Sequence, residues 1–394
     1  MEALVKEIHT KSFSWRKWIA RLYVAIGTAV VMSAWMMNAL GSPQIGWDFP
    51  VFYIAAHVPV QSLYDPNVFS QFWQDYLKPI GVPHWAPYVR PPIFSLPLHV
   101  LLNLPYYEAL TFWVVGGIVM FLTSVLLLLH KFKLPAFLAA ACVAYFPGAA
   151  GILSGADVSI YLLMLVVALL FLERGWDRSA GAALAICLCK FNLVLLIPLM
   201  LVSKKRYQAL AVFLFGAVLV VLGSLGVSDW HAYLNAVADA PRIAGGFFPV
   251  GLRGFSNAVG LPWIYAPLAI SALIICCWLC YSLPLRESLS AALVGALLIS
   301  PYVTWYDSTL LILPLLLVYS RSTTSTMRVA CLSVILAVPL WEHGGGNNGP
   351  IGFMHVGVEF SLLVYFVRIA LRPRYCEAKR NPLERSAFRN SQDT

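Results

Sequence analysis

The chain has 394 residues, of which 60% are hydrophobic and 11% charged, with 13 tryptophans and a formal net charge of +9. With a mean hydropathy of +0.76, this composition excludes a soluble domain and calls for repeated helices that cross a bilayer. The positive charge does not suggest nucleic acid, because it is gathered in short clusters between apolar runs.

Residues 1–17 read as a basic cytoplasmic N-terminus. The first apolar run, Ile19 to Leu40, exceeds the roughly 7–15 residues of a signal-peptide core and lacks a small-residue cleavage site. It reads as a retained span over 18–40, followed by a long loop over 41–105. Further spans are expected at 106–130, 134–150, 157–173, 179–190, 191–203, 207–226, 258–283, 287–301, 308–320, 329–341 and 353–371. That makes twelve crossings in one transmembrane domain, 18–371, followed by a basic cytoplasmic tail at 372–394.

Lys131/Lys133, Arg174/Arg178, Lys204-Lys205-Arg206, Arg286, Arg321/Arg328 and the run from Arg368, with the N-terminal group, hold most of the 27 basic residues. Placing every cluster in the cytoplasm, as the positive-inside rule requires, pairs the spans. Two consequences follow. Pro92–Leu104 must lie in the outer leaflet rather than cross, and 179–203 must turn back on itself with Lys190 at the turn. The eight cysteines fall in predicted spans or the tail. Cys187/Cys189 and Cys276/Cys277/Cys280 therefore read as small core residues rather than metal ligands or disulfides.

This topology leaves few ionisable groups outside. The 41–105 loop carries Asp48, His57, Asp65, Asp75, His84 and Arg90. The 227–257 loop carries His231, Asp239, Arg242 and Arg253, while Asp157 and Asp307 stand near span ends. A glycine-rich loop, "EHGGGNNGPIGF", completes the set. It lacks the strand-to-helix context of a nucleotide-binding loop.

Lys190 is the most expensive residue, since a lysine within a span costs about 2.5–3.5 kcal/mol on insertion scales. It needs either an ion pair with Asp157 or Asp307, or an anionic ligand. With Arg90 and Arg253 it would suit the phosphate of a lipid headgroup. Asp48, in "WDFPVFYIAAH", is either a helix N-cap ahead of Pro50 or a working carboxylate. As a general base it would take the proton of a sugar hydroxyl attacking an anomeric carbon, while nearby cations stabilise a departing phosphate. Asp65, in "YDPNVF", reads as a turn or cap residue. Asp307 could orient a substrate hydroxyl, pair with Lys190 or end a helix. Trp47, Tyr53, Tyr88 and Trp305 could stack on sugars or sit in an interfacial belt.

"WDFPVFYIAAH", "SLYDP" and "YVRPPIFSLPLHVLLNLP" (Tyr88 to Pro105) resemble the first outer loop of glycosyltransferase family 87. "SAGAALAICLCKFNLVLLIPLMLVSKKR" (Ser179 to Arg206) and "LLISPYVTWYDSTLLILPLLL" (Leu297 to Leu317) are similar to later segments, in family order. The resemblance implies an all-α polytopic membrane protein of the GT-C type, with juxtamembrane helices in its first outer loop. It further implies transfer of a hexose, mannose in that family, from a polyprenyl-phosphate donor to a glycolipid or glycan acceptor, with inversion and with Asp48 as catalytic base. Donor phosphate and sugar would be met by Arg90, Lys190, Tyr88, Asp307, Arg253 and His57. Its setting would be the bacterial inner (plasma) membrane, with the active site on the extracytoplasmic side and both termini cytoplasmic. Its partners would be the donor, the acceptor and membrane lipid, not nucleic acid. No cofactor is expected; a divalent metal is possible but not indicated.

The chain departs from the family pattern at Arg90-Pro91-Pro92, where Tyr-Pro-Pro is common, and at "SGADVS", where an amide is usual. It also lacks the histidine often found near Tyr306 and Asp307. The alternatives are a transporter or flippase for a lipid-linked sugar or another anionic lipid, and a non-catalytic scaffold. A transporter would show internal repeats and broken helices at mid-membrane; no repeat is visible here.

Overall fold

The structure is a computed structural model that describes residues 46–82, 86–225, 230–243, 251–336 and 351–371. The expected span 18–40, both termini and the glycine-rich loop over 342–350 lie outside the described residues. Among the described residues every regular element is helical.

The outer loop folds into a small packed unit. Helix α1 (Phe49–His57) starts with Pro50 in its first turn, where the missing N–H is no loss. Helix α2 (Pro66–Phe72) is capped by Asp65, whose carboxylate accepts from the Asn67 N–H at 2.9 Å. It runs on through a single π turn, Trp73–Leu77. The segment Pro92–Leu101 is a 3₁₀ helix with Pro97 inside it. Prolines 91, 92 and 97 withhold three amide donors, which disfavours the α pattern. Phe49, Phe52, Phe69, Tyr88 and Leu98 form a hydrophobic cluster of their own, closed from below by Tyr106 and Leu110.

Those last two residues open α3 (Tyr106–Lys131), the longest described helix at 26 residues. The expected span 134–150 is instead a pair, α4 (Phe137–Val143) and α5 (Phe146–Ser154), bent by 53°. Pro147 in the first turn of α5 marks the break. Helix α6 (Val158–Arg174) follows. The expected turn-back is present: α7 (Asp177–Ile186) leads into an irregular 3₁₀ stretch, Cys187–Val194, and the chain bends by 111° into α8 (Ile197–Ser203). An ion pair of Arg206 with Asp177, at 3.2 Å, closes the base of this hairpin.

Beyond it come α9 (Tyr207–Leu225), α10 (Trp230–Ile243), α11 (Leu252–Ala258), α12 (Tyr265–Ser282) and α13 (Leu285–Ile299). The 3₁₀ turn Trp305–Leu311, α14 (Ile312–Arg321), α15 (Ser325–Leu336) and α16 (Ile351–Ala370) complete the described chain. By length and composition α3, α9 and Pro262–Ser282 can each cross a membrane, and the two bent pairs raise the number to five. Helices α9 and α12 keep most of their apolar surface exposed, as helices facing lipid do.

Helix α13 is the opposite case, buried at every position from Glu287 to Ile299. Apolar on all sides but lined with Ser288, Ser290, Ala291, Ala292 and Gly295, it lets neighbours approach closely. A Cβ on Gly295 would lie 2.3 Å from Cys276 Sγ. The cysteines of these helices are free.

Candidate active site

The backbone around Asp48 is stitched to the end of α5. Gly46 N–H donates to Leu153 O at 2.8 Å and Asp48 N–H to Ser154 O at 2.7 Å. Gly155, at φ +86, then lets α1 lie close, since a Cβ there would come within 2.6 Å of Phe49 Cβ. Asp48 occupies the N-cap position of α1, but its side chain makes no capping bond. Its Oδ2 accepts from Ser154 Oγ at 2.7 Å instead.

Ser154 Oγ also lies 2.9 Å from Gly151 O. One hydroxyl proton cannot serve both acceptors at once. With Asp48 ionised, the hydroxyl turns to the carboxylate; with Asp48 protonated, the carboxyl donates to Ser154 and the hydroxyl turns to Gly151. The pair thus accommodates either protonation state without breaking a hydrogen bond. Burial pushes the Asp48 carboxyl up to about 6, partly offset by the Ser154 hydrogen bond and the positive charges of Lys190 and Arg90, while Asp157 adds to the rise. This is the range in which a carboxylate can both take and release a proton near neutrality.

Two buried ion pairs stand beside it. Arg90 grips Asp157 with both arms of its fork, Nε to Oδ2 at 3.0 Å and Nη2 to Oδ1 at 2.9 Å. The Tyr161 hydroxyl, one turn along α6, donates to the same carboxylate. Pro91 disfavours the α region for the Arg90 backbone, and Tyr64 Oη donates to Arg90 O at 2.6 Å. The second pair is Lys190 with Asp307. Lys190 sits where the 3₁₀ stretch breaks, at φ −128 and ψ 66, with its ammonium 5.1 Å from the Tyr306 ring centroid. Asp307 spends its other oxygen on the Thr304 N–H and hydroxyl, each at 2.9 Å, in a capping box. Asn192, two residues after Lys190, donates to Tyr302 O at 2.6 Å and Ser300 Oγ at 3.1 Å. It thereby clamps the turn-back segment to the 300–307 strip.

Arg90, Lys190, Asn192 and Tyr302 line a cavity of about 120 Å³, with the half-exposed Phe191 and Leu195 also on its wall. That is below the roughly 300–1,000 Å³ of pockets enclosing a drug-sized ligand, and suits a phosphate or one edge of a sugar. Pairing does not exhaust the cations: Arg90 keeps Nη1, and Lys190 keeps two of its three hydrogens for a ligand. Among the described residues, no three His, Cys, Asp or Glu side chains converge on one point as metal ligands.

The structure therefore brings Asp48, Arg90, Lys190 and Asp307 into one neighbourhood, with Tyr88 buried nearby against Tyr64. It does not bring His57 there. That ring turns back on α1, with Nδ1 2.8 Å from Tyr53 O, and packs against Phe72. Helical geometry explains this, because nine residues along a helix separate the two by about 13 Å of rise. Arg253 opens α11 instead, its Nη1 3.5 Å from Pro301 O, off the cavity wall. Arg90 is there with a partner the sequence did not assign to it, because its burial requires a carboxylate.

Ser154, Asp157's grip on Arg90, Tyr161 and Asn192 were missed as contributors. Two signals were available: Asp157 and Tyr161 stand four apart at a helix start, and Asn192 is a second polar residue in the apolar run that holds Lys190.

A family-wide sequence description, glycosyltransferase family 87, matches residues 88–301, more than half of the chain. The match takes in Tyr88, Arg90, Asp157, Lys190 and Asn192, with Asp48 before it and Asp307 after it. No curated protein and no solved structure matches the chain.

Proposed function

Because this chain belongs to glycosyltransferase family 87 and is a membrane-embedded glycosyltransferase, we propose that it moves a hexose, mannose, from a polyprenyl-phosphate donor to a glycolipid or glycan hydroxyl. The observation that carries the mechanism is an uncapped, half-buried Asp48 carboxylate, held by Ser154 beside two buried cations. The acceptor oxygen attacks the anomeric carbon from the side opposite the phosphate. Asp48 takes the hydroxyl proton as the new C–O bond forms, and the bond from the anomeric carbon to the phosphate oxygen breaks with inversion. The electron pair leaves on the lipid phosphate, where Lys190 and Nη1 of Arg90 meet the growing negative charge. Asp307 and Asp157 act through these cations by fixing their positions, and Tyr88 packs against Tyr64, whose hydroxyl holds the Arg90 carbonyl.

The orientation rests on the same helices. Helices α3, α6 and α14 start near Asp48, Asp157 and Asp307 and end at Lys131, Arg174 and Arg321. Basic ends tend to face the cytoplasm, and this supports the reading of the site as extracytoplasmic. A transporter would share the helix broken at Lys190, but it would make no product in detergent.

The test is transfer from radiolabelled polyprenyl-phosphate mannose to a lipid extract by the purified protein in detergent. The expected result is labelled product with wild type, none with Asp48→Asn, and a raised donor KM with Lys190→Met. Undiminished transfer by Asp48→Asn would return that residue to a purely structural part. Product from another lipid-linked sugar, and none from mannose, would replace the donor.

A further inference from the structure

At the far end of the same helices is a second polar site. Lys131, Lys133, Arg286 and Arg321, with Phe132 and Ser320, line an open cleft of about 450 Å³. Helices α3, α6 and α14 run into it from the neighbourhood of Asp48, Asp157 and Asp307, and α13 runs out of it towards Ser300. The 17 residues of α6 set the separation from the candidate active site at about 25 Å.

The cations are organised rather than merely gathered. Glu173 holds Lys131 and Arg286 together. Buried Glu287 holds Arg321 at 3.1 Å. Arg286 engages Glu173 through Nε and lies 5.8 Å over the Phe132 ring, which leaves its terminal nitrogens for a ligand. Four positive charges against two carboxylates leave the cleft with a net charge of +2.

Helix C-termini and the positive-inside rule account for basic residues here in general. Lys133 has a further feature. It closes α3 in the left-handed conformation, at φ 54, with Leu134 N–H donating back to Leu129 O at 2.9 Å. That position favours glycine, since any Cβ there is strained. Lys205 ends α8 at a similar φ of 56 away from the cleft, so strain alone assigns no use; Lys133 differs in standing on the wall of the cleft, where its charge adds to the excess of cations.

We propose that this cleft is a binding site for a phosphate group, presented in the membrane as the headgroup of an anionic phospholipid. Guanidinium and ammonium donors at the end of a bundle are the chemistry that recognises such headgroups.

The test uses the purified full chain in detergent, with tryptophan fluorescence following thermal unfolding during titration with phosphatidylglycerol, phosphatidylcholine or inorganic phosphate. Phosphatidylglycerol is expected to bind wild type at least tenfold tighter than phosphatidylcholine. Lys133→Gly should weaken it about fivefold, the loss expected for one surface charge, while leaving the lipid-free Tm equal or higher because the strain is relieved. Lys133→Gly with Arg321→Gln should weaken it further. Lys205→Gly is the matched control: it also removes a lysine at positive φ, 56°, at the end of α8 and off the cleft, and should change affinity less than twofold. Displacement of phosphatidylglycerol by millimolar phosphate would assign the site to free phosphate; failure to displace it assigns the lipid. Equal binding of the two lipids would overturn the proposal. So would unchanged affinity in Lys133→Gly, or an equal loss in Lys205→Gly.

Discussion

Replacing Asp48 by asparagine should make the protein more stable and inactive at once. In the fold the carboxyl is pushed from its ordinary 3.8 up to about 6, chiefly by burial. At about 1.4 kcal/mol per pKa unit, holding Asp48 ionised costs the folded state about 3 kcal/mol. Asparagine keeps the size and a hydrogen bond to Ser154 but carries no charge to bury. The sign follows from the raised value: the folded state holds the proton more tightly, so the Asp48 contribution is fully present below about pH 4 and is lost as pH rises through about 6. Asp48→Asn should therefore melt above wild type at pH 8. The gap should shrink to about half at pH 5 and close near pH 4. Transfer should fall by at least the roughly 10²–10⁴-fold typical of a lost general base. The assay is paired: tryptophan-detected unfolding across pH 4–8, and label transfer at pH 8. A variant that melts below wild type at pH 8 would show that Asp48 is a structural anion, and the reasoning would fail.

Further outcomes follow from the same geometry. The kcat/KM of wild type should drop about tenfold per pH unit below about 6 and be level above it, as a base that must be ionised requires; a profile flat to pH 5 would exclude Asp48. Arg90→Gln or Asp157→Asn alone strands a buried charge and should cost about 3–5 kcal/mol, whereas the double variant should regain most of the Tm without regaining transfer. Asp65→Ala should cost about 1 kcal/mol through the lost cap of α2, with transfer unchanged. Gly155→Ala forces a Cβ onto Phe49 at positive φ, and should lower kcat about 10–100-fold by displacing Asp48.

What was legible in the sequence was what local chemistry dictates. Apolar runs announced the membrane helices, "YDPNVF" announced its cap, and Lys190 announced that it needed a partner. Asp48 was legible as one of two things, and the missing capping bond speaks against the first. The partner of Lys190 was one of the two carboxylates named for it, Asp307; those of Arg90 and Asp48 were not legible, because Asp157 lies 67 residues from Arg90 and Ser154 lies 106 from Asp48. Such pairs are set by how bent helices cross, and no periodicity encodes that. His57 shows the converse: near in sequence to Asp48, yet carried off by the rise of its own helix.

The burial of α13 bears on how the protein is made. Its 15 residues, LRESLSAALVGALLI, include an arginine, a glutamate and two serines, so it enters hydrocarbon less readily than the greasy helices around it. Its small-residue faces have value only once Cys276 and Leu196 are there to fill them. The centre of the molecule is thus the part least able to insert by itself, and it leans on helices made both before it, such as α12, and after it, such as α14 and α16. Synthesis halted just before Leu285 would leave α12 with the face that packs on α13 open.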